Sequence, residues 1–360
     1  MRFCALSEMN IRDSNKNNMS HIEQSIAHAA EDFISLRGSS IFITGGTGYV
    51  GRLLLESLCL ANKKWNLNLR LTVLSRNPRN FLNAHPYYEK DDFINFVCGD
   101  IRSFKFPIKH FDYVIHGAAD IVAKNSPIDV FDVNVNGTKH ALDFAANCGA
   151  KNFLLLSSGA VYGKAEFNNY PIAESESISL DIKSPVGAYG LGKASAEWLA
   201  NLYSENYGFS CKIARIFAQI GPGLELDSHF AAGNFIRDAL QGREILINGD
   251  GAAVRSYMYS TDLVNWLLRI LIRGESGVAY NVASEEGITI TGLANKILAY
   301  VNGLSPGIRI LGMHTTSSAS DTYVPSTKLA RSKLGLNLYI GLDEAISRTV
   351  DWYRPRIGLT

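Results

Sequence analysis

Short apolar runs alternate with amphipathic stretches through the first two thirds of the chain. Runs rich in β-branched and aromatic residues predict strands at 41–44, 69–75, 93–98, 113–116, 153–157 and 212–216. Apolar residues at helical spacing predict helices near 49–62, 127–147 and 187–207. This alternation is typical of an α/β fold, a doubly wound parallel sheet with helices on both faces. Ligands of such folds bind beyond the carboxyl ends of the strands, so those positions carry the candidate chemistry.

The two ends of the chain have different patterns. Residues 1–38 are predicted to be a partly disordered extension, polar over 1–19, with a short helix that begins at a capping box of Ser20 and Glu23. Residues 39–216 carry the strand and helix alternation. After the break at Gly221-Pro222-Gly223, residues 217–360 are predicted to form mainly a smaller C-terminal lobe, which need not be contiguous.

Composition narrows the class of protein. The formal net charge of the 360 residues is +1, so neither a nucleic acid nor a membrane surface is expected as a partner. No apolar run approaches the roughly 20 residues that span a bilayer. The five cysteines have no paired spacing, and no histidine, cysteine or carboxylate spacing indicates a metal site. We expect reduced thiols, no metal and a cytoplasmic location.

A glycine-rich turn lies between the first strand and the helix that follows it. Gly45 suits a turn with positive φ, Gly48 allows the backbone to approach a pyrophosphate, and Gly51 allows the helix to pack on the strand. The helix N-terminus presents unpaired N–H groups to the phosphates. The expected dinucleotide contacts at this turn are Gly45, Thr47, Gly48, Tyr49, Val50 and Gly51.

The ends of the next strands supply further cofactor candidates. Ser75 and Arg76 stand where NAD-binding proteins usually carry a carboxylate for the ribose hydroxyls, which favours NADP(H) and leaves NAD(H) open. The alternative is that Arg76 is only a surface cation. Asp100, with Ile101, is placed to meet the adenine. The small residues expected where the cofactor passes are Gly117, Ala118 and Ala119.

Tyr189 and Lys193 are four residues apart, on one face of a predicted helix, and Ser158 ends a predicted strand. A phenol is a poor base at neutral pH, and a neighbouring ammonium lowers its pKa. We predict that Tyr189 is the acid or base, that Lys193 modulates its pKa and holds the ribose, and that Ser158 shares the substrate oxygen. Such a set moves a proton on or off a hydroxyl while a hydride moves on the same carbon.

Together these residues resemble the extended short-chain dehydrogenase/reductases that act on nucleotide sugars. The resemblance spans about residues 40 to 354. Its motifs are Thr44-Gly45-Gly46-Thr47-Gly48-Tyr49-Val50-Gly51, Gly99-Asp100, His116-Gly117-Ala118-Ala119, Asn134-Val135-Asn136-Gly137-Thr138, Ser157-Ser158-Gly159-Ala160-Val161-Tyr162-Gly163, Tyr189 with Lys193, Arg215-Ile216-Phe217, Gly221-Pro222-Gly223, Gly249-Asp250-Gly251 with Arg255, Tyr259 and Asp262, Lys328-Leu329-Ala330-Arg331 and Leu334-Gly335.

The resemblance implies a Rossmann-like NAD(P)-binding domain over 39–216, a substrate lobe mainly within 217–360, and a nucleotide-sugar substrate. It also implies a homodimer packed through the helices near 127–147 and 187–207. Cofactor contacts extend to Asn134, Ser157, Tyr189 and Lys193. Substrate contacts fall on Ser158, Gly159, Asn234 and Arg255, the last of which would hold the diphosphate.

Three departures from the family pattern restrict the reaction. Gly159 and Ala160 stand where the family's 4,6-dehydratases carry an Asp-Glu pair, and Ala218 replaces a phosphate-binding Asn. A second arginine is missing from residues 317–321. The interpretation is an oxidoreductase or epimerase at C4 of a nucleotide-linked hexose. The alternatives are a 4,6-dehydratase with an atypical acid/base set and a non-catalytic nucleotide-binding protein.

Overall fold

The computed structural model describes residues 21–120, 126–163, 171–227, 230–301, 307–312 and 321–357. The polar stretch 1–19 and the predicted helix cap at Ser20 lie outside these residues, as do positions 317–320 of the segment that lacks the family's second arginine.

Fourteen strands are found in the described residues. They are β1 Ser40–Thr44, β2 Arg70–Ser75, β3 Ile94–Cys98, β4 Tyr113–His116, β5 Asn152–Ser158, β6 Ser210–Ile216, β7 Gln219–Ile220, β8 Ile245–Ile247, β9 Val254–Ser256, β10 Met258–Tyr259, β11 Ala279–Val282, β12 Gly287–Thr289, β13 Ile308–Ile310 and β14 Thr322–Tyr323. Seven of them form one parallel sheet in the order β11-β6-β5-β4-β1-β2-β3. The order reverses direction between β1 and β4, which makes their carboxyl ends the switch point where ligands of such sheets bind.

The helices cover both faces of this sheet. They are α1 (residues 21–28), α2 Ala30–Ser35, α3 Tyr49–Trp65, α4 Pro78–Ala84, α5 Pro127–Asn147, α6 Ala188–Tyr207, α7 Ala231–Leu240, α8 Ser260–Arg273, α9 Ile290–Tyr300, α10 Lys328–Leu334 and α11 Leu342–Tyr353. One core cluster joins α1, α2, α3 and α8 to the sheet, and another joins α5 and α6 to its opposite face. The predicted α/β class, its first six strands and its three long helices are therefore confirmed.

The helices before the first strand are tied to the main body. Phe33 of α2 is fully buried in the core, and the buried Asp32 carboxylate accepts hydrogen bonds from Arg269 Nε at 2.5 Å and Arg273 Nε at 2.6 Å. Both arginines belong to α8. Since a buried carboxylate is stable only when it is paired, this contact fixes α2 on α8.

The C-terminal part of the chain builds a smaller lobe and also returns to the large sheet. Three short sheets, β12-β9-β14, β13-β8 and β10-β7, pack with α7, α9 and α11 around a separate core. In contrast, β11 pairs with β6 at the edge of the central sheet, and α8 packs on that sheet's core. Thus the stretch 217–360 contributes to both structures, and their interface lies above the carboxyl ends of the strands.

Candidate active site

The glycine turn after β1 lies against the chain that leaves β4. Gly45 has φ of +70°, and a Cβ at this position would lie 2.5 Å from the Gly117 carbonyl carbon and 2.6 Å from the Ala118 nitrogen. A Cβ at Gly51 would lie 2.2 Å from the Gly45 carbonyl oxygen. Only glycine fits at 45 and 51, so the two loops at the switch point approach each other at backbone distance.

The N-terminus of α3 suits a pyrophosphate. Gly48 is the exposed N-cap residue, and no side chain caps the helix, so the N–H groups of its first turn are available to phosphate oxygens. Val50 packs on the core below. The residues present therefore fit the dinucleotide that the sequence predicts, and Gly45, Gly48 and Gly51 would hold its phosphates.

The Tyr49 side chain points away from this turn. Its hydroxyl is buried beside Gly221, where a Cβ would lie 3.1 Å from it, and burial raises the pKa of the phenol. Tyr49 thus packs under the Gly221-Pro222-Gly223 turn, and only its backbone N–H remains for the cofactor. Thr47 Oγ1 lies 3.4 Å from Ser75 Oγ, which joins the turn to the end of β2.

Two arginines lie around Asp100, the carboxylate predicted to meet the adenine. Arg102 binds Asp100 with both Nε, at 2.8 Å, and Nη2, at 3.0 Å, and its Nη1 reaches Asp132 on α5 at 2.8 Å. These hydrogen bonds, with the nearby Arg76, hold the pKa of Asp100 below its ordinary value. Ile101 is buried against Gly137. Asp100 therefore stays anionic, and the exposed Arg76 contributes positive charge beside it.

A buried hydrogen-bonded chain supports the end of β4. His116 joins Thr44 Oγ1 through Nδ1 at 2.7 Å and Thr138 Oγ1 through Nε2 at 3.0 Å, and Thr138 donates to the Asn134 carbonyl at 2.6 Å. Burial, with the charge of Lys193, lowers the pKa of His116 to about 3, so the ring is neutral. Asn134 Oδ1 is buried and accepts no hydrogen bond from the described residues. Asn134 therefore keeps one acceptor beside the site.

Tyr189, Lys193 and Ser158 meet at the carboxyl end of β5. The Ser158 hydroxyl lies near enough to the Tyr189 phenol to lower its pKa, and it accepts a hydrogen bond from Ala160 N at 3.1 Å. Lys193 Nζ lies 5.9 Å from the centroid of the Tyr189 ring and donates to the Leu156 carbonyl at 2.9 Å. The structure thus brings the three predicted catalytic residues together.

The pKa of Tyr189 differs from the expectation. We expected Lys193 to lower the pKa of Tyr189, but burial raises it to about 12, which outweighs the opposite effect of the neighbouring Ser158 hydroxyl. Burial also lowers the pKa of Lys193 to about 8, against the opposing charge of Glu197. At neutral pH the protein therefore presents a neutral phenol and a mostly protonated lysine.

Ser157 faces the interior. Its hydroxyl donates to Glu197 Oε1 at 2.5 Å, and Glu197 Oε2 pairs with Arg215 Nη2 at 2.8 Å. Arg215 Nη1 also donates to the Tyr162 hydroxyl at 2.9 Å. Because the Ser157 side chain is engaged in this buried network, only its backbone can contact a cofactor, contrary to a side-chain role.

Two of the four predicted substrate contacts, Asn234 and Arg255, lie on the C-terminal lobe. Arg255 donates from Nη1 to the carbonyls of Val254 (2.8 Å) and Asp321 (2.6 Å), and from Nη2 to the Asp321 carboxylate at 2.7 Å. Its Nε–H makes no hydrogen bond to a described residue, so part of the guanidinium fork is available to an anion. Asn234, on α7, accepts from Arg237 Nη1 at 3.4 Å.

Two residues of the site were missed by the sequence analysis. Arg102 lies two positions after Asp100, a spacing that signals an ion pair. Tyr323 lies in a two-residue strand, and a Cβ at Gly159 would lie 2.1 Å from its hydroxyl oxygen. No local pattern indicates Tyr323, because its position depends on the pairing of β14 with β9.

Within the described ranges, no helix is long and apolar enough to cross a bilayer. Among the same residues, no cluster of histidine, cysteine and acidic side chains has the arrangement of a metal site.

The parallel sheet, the glycine turn at its switch point and the lobe above it define a Rossmann-like dinucleotide fold. The chain belongs to the NAD dependent epimerase/dehydratase family, whose model matches residues 41–283. This confirms the predicted resemblance to extended short-chain dehydrogenase/reductases that act on nucleotide sugars, and hence to enzymes.

Relatives of this chain have different activities. It is 26% identical over 325 residues to UDP-glucuronic acid decarboxylase 5 of Arabidopsis thaliana, which covers 89% of this chain and 90% of the relative. It is also 26% identical over 325 residues to dTDP-D-glucose 4,6-dehydratase of Mus musculus, with 87% and 88% covered. The solved structure of epimerase Mth375 from Methanothermobacter thermautotrophicus superposes with a TM-score of 0.76 at 25% identity, covering 90% and 95%.

Proposed function

We propose that this protein is an NAD(P)-dependent oxidoreductase or epimerase that acts at C4 of a nucleotide-linked hexose. The observation that carries the proposal is the meeting of Ser158, Tyr189 and Lys193 beside the Gly45 turn. When bound, the nicotinamide supplies or accepts the hydride. The proposed task of the protein groups is to hold the sugar carbon and to move one proton at its oxygen.

The proposed role of each residue follows from its protonation state and its position in the site. Tyr189 donates its proton to the sugar oxygen in reduction, or takes it in oxidation, while Ser158 holds the same oxygen. The ammonium of Lys193 stabilises the phenolate that forms when the proton leaves. A pKa of about 12 suits a proton donor better than a base, so the neutral phenol favours the 4-ketoreductase over the 4-epimerase.

The surroundings of Gly159 argue against the dehydratase alternative. A Cβ there would lie 2.1 Å from the Tyr323 hydroxyl and 2.6 Å from Phe217 Cζ, so the space for an acidic side chain is filled. Ala160, the next residue, cannot transfer protons. A dehydratase reaction, as one relative's name indicates for it, would need another acid and another base.

We propose NADP(H) as the cofactor, with NAD(H) as the alternative. Arg76 is exposed at the end of β2, and it lies close enough to Asp100 to lower that carboxyl's pKa. Asp100 is itself bound by Arg102, so the local charge favours a 2′-phosphate.

We further propose a cytoplasmic homodimer. Cys59, Cys98, Cys148 and Cys211 are free thiols, which suits a reducing compartment. Apolar side chains are exposed on the adjacent helices α5 and α6, where Ile128, Phe131 and Trp198 are 79%, 40% and 63% exposed. A second copy packed on these helices would cover them.

The proposal is tested by identifying the cofactor and then the reaction. Purified protein is denatured, and any released dinucleotide is identified by mass. Protein without dinucleotide is then tested for thermal stabilisation by NADPH and NADH, and for turnover of UDP- and dTDP-linked hexoses and their 4-keto forms. Stronger stabilisation by NADPH and reduction of a 4-ketohexose support the ketoreductase. Retained NAD with exchange of C4 configuration supports the epimerase.

The proposed role of Tyr189 as the acid or base is tested by substitution. Tyr189→Phe should lower turnover by roughly 100-fold or more and leave cofactor binding intact. Unchanged turnover in Tyr189→Phe would show that the assignment is wrong. Tight cofactor binding with no reaction on any nucleotide sugar would favour the non-catalytic alternative.

A further inference from the structure

Tyr323 brings a second phenol to the proton-transfer group. Its hydroxyl lies against the backbone of Gly159, as the 2.1 Å approach of an added Cβ shows. Gly159 directly follows Ser158, whose hydroxyl is a neighbour of the Tyr189 phenol, and Tyr189 is near enough to Tyr323 to raise its pKa. Although Tyr323 comes from the C-terminal lobe, its hydroxyl therefore lies beside the predicted catalytic hydroxyls.

Two neighbouring side chains contact the Tyr323 ring. Its centroid lies 4.7 Å from that of Phe217, and the Arg255 guanidinium carbon lies 5.7 Å from it, at the range of a cation–π contact. Arg255 and Tyr323 are also directly paired in the β9–β14 register. Tyr323 thus bridges the proton-transfer group and the arginine predicted to hold the diphosphate, which is the interval that a hexose must occupy.

The Tyr323 hydroxyl has an unused proton. No hydrogen bond joins it to a described residue, and burial, with the neighbouring Tyr189, raises its pKa. The phenol is therefore neutral at physiological pH and acts as a donor. A half-buried donor without a protein acceptor is costly unless a ligand or water accepts from it.

We propose that the Tyr323 hydroxyl donates a hydrogen bond to an oxygen of the substrate's hexose ring. Its aromatic ring keeps Arg255 in place for the diphosphate. This inference rests on the proposed function and adds one sugar-contacting residue to it. Tyr323 would contact the sugar and not the nucleotide, because its hydroxyl lies against Gly159, the residue after Ser158.

The test compares a nucleotide with its sugar conjugate. Binding of UDP, UDP-glucose, dTDP and dTDP-glucose is measured by calorimetry, with NADP⁺ present, for the wild type, Tyr323→Phe and Tyr88→Phe. Tyr323→Phe keeps the ring against Phe217 and removes only the hydroxyl. Tyr88→Phe removes another buried, unpartnered hydroxyl, in the helical turn before β3, and serves as the matched control.

We expect Tyr323→Phe to weaken sugar-nucleotide binding by roughly 3- to 10-fold, the effect of one neutral hydrogen bond, and to leave UDP and dTDP binding unchanged. Tyr88→Phe should change neither. Equal binding by Tyr323→Phe and the wild type would overturn the inference alone, as would equal weakening for nucleotide and sugar nucleotide. If the wild type binds no sugar nucleotide more tightly than the nucleotide, the proposed function and this inference both fail.

Discussion

Glu197 and Arg215 form a buried ion pair beside the end of β5, which carries the proposed catalytic Ser158. The Glu197 Oε2 to Arg215 Nη2 distance is 2.8 Å, both side chains are less than a tenth exposed, and the same carboxylate accepts from Ser157. Since Ser157 precedes Ser158, the pair fixes the backbone that presents the proposed catalytic hydroxyl. Glu197 also follows Lys193 by one helical turn and opposes the loss of its charge.

Breaking this pair should destabilise the protein strongly. Glu197→Gln leaves the Arg215 charge buried without a counterion, so the free energy of unfolding should fall by about 3–5 kcal/mol, measured by urea denaturation. Glu244→Gln removes the partner of the exposed Arg309 and should lower the free energy of unfolding far less, because solvent screens that pair. If the two substitutions lower the free energy of unfolding equally, the buried ion pair contributes no more to stability than the exposed one.

Two buried lysines allow stability to be separated from function. Lys193 and Lys212 are 2% and 3% exposed, and burial lowers the pKa of each from 10.5 to about 8. Lys212 donates to Asn152, the first residue of β5, at the opposite end of that strand from the candidate site. A lysine whose pKa is lower in the folded protein costs stability below pH 8, and this cost is relieved as the pH rises toward 10.5.

Accordingly, Lys193→Met and Lys212→Met should each raise the free energy of unfolding at pH 7, by roughly 1–3 kcal/mol. The gain should shrink between pH 8 and 10.5. Only Lys193→Met should abolish turnover. Melting temperatures across this pH range and turnover at pH 7 are the measurements. Loss of turnover in both variants would contradict the assignment of Lys193.

The local part of this structure was predictable, and the long-range part was not. The strands 41–44 and 113–116 are marked by short runs rich in β-branched and aromatic residues, and the 127–147 helix is marked by its period, because burial on the sheet requires these patterns. In contrast, β11 has four residues and is recognisable only by its pairing with β6. Its return to the sheet depends on tertiary contacts that no local pattern encodes.

The candidate site shows the same division. The sequence spacing of Gly45 and Gly51 is enough to place them in one glycine-rich turn. The spacing of Tyr189 and Lys193 is enough to place them on one helix face. The orientation of Tyr49 toward the C-terminal lobe and the approach of Tyr323 to Gly159 join residues more than 150 positions apart. Single-sequence reasoning gives the residue types of such contacts but not their partners.

Gly51 offers a direct test of the phosphate-binding turn. Gly51→Ala would place a Cβ 2.2 Å from the Gly45 carbonyl oxygen, which cannot move without distorting the turn. We expect a loss of about 1–3 kcal/mol of stability and at least about 10-fold weaker dinucleotide binding, since overpacking against backbone is not relieved by side-chain rotation. Gly249→Ala, where a Cβ has no neighbour within 4 Å, is the control. Normal cofactor binding in Gly51→Ala would argue against this turn as the phosphate site.

Arg76 determines the expected preference between the two dinucleotides. Arg76→Asp should lower the affinity for NADPH relative to NADH by about 10-fold or more, because a carboxylate repels a 2′-phosphate and accepts from a ribose hydroxyl. Arg79→Asp makes the same charge change on the adjacent exposed helix α4 and should have little effect. Competitive titration of both cofactors measures the ratio. An unchanged ratio in Arg76→Asp would remove the charge argument for NADP(H).

Trp198 tests the proposed homodimer. Its indole is 63% exposed on α6, and the proposed dimer face also includes the exposed Ile128 and Phe131 of the neighbouring α5. If a second copy covers this face, Trp198→Glu buries a charge at the interface and should shift the protein from dimer to monomer. Tyr207→Glu, at the exposed C-terminal end of the same helix, adds the same charge and should dissociate the dimer less. Light scattering after gel filtration gives the mass of each variant. A wild type that is monomeric at high micromolar concentration would rule out the dimer, and a dimeric Trp198→Glu would place the interface elsewhere.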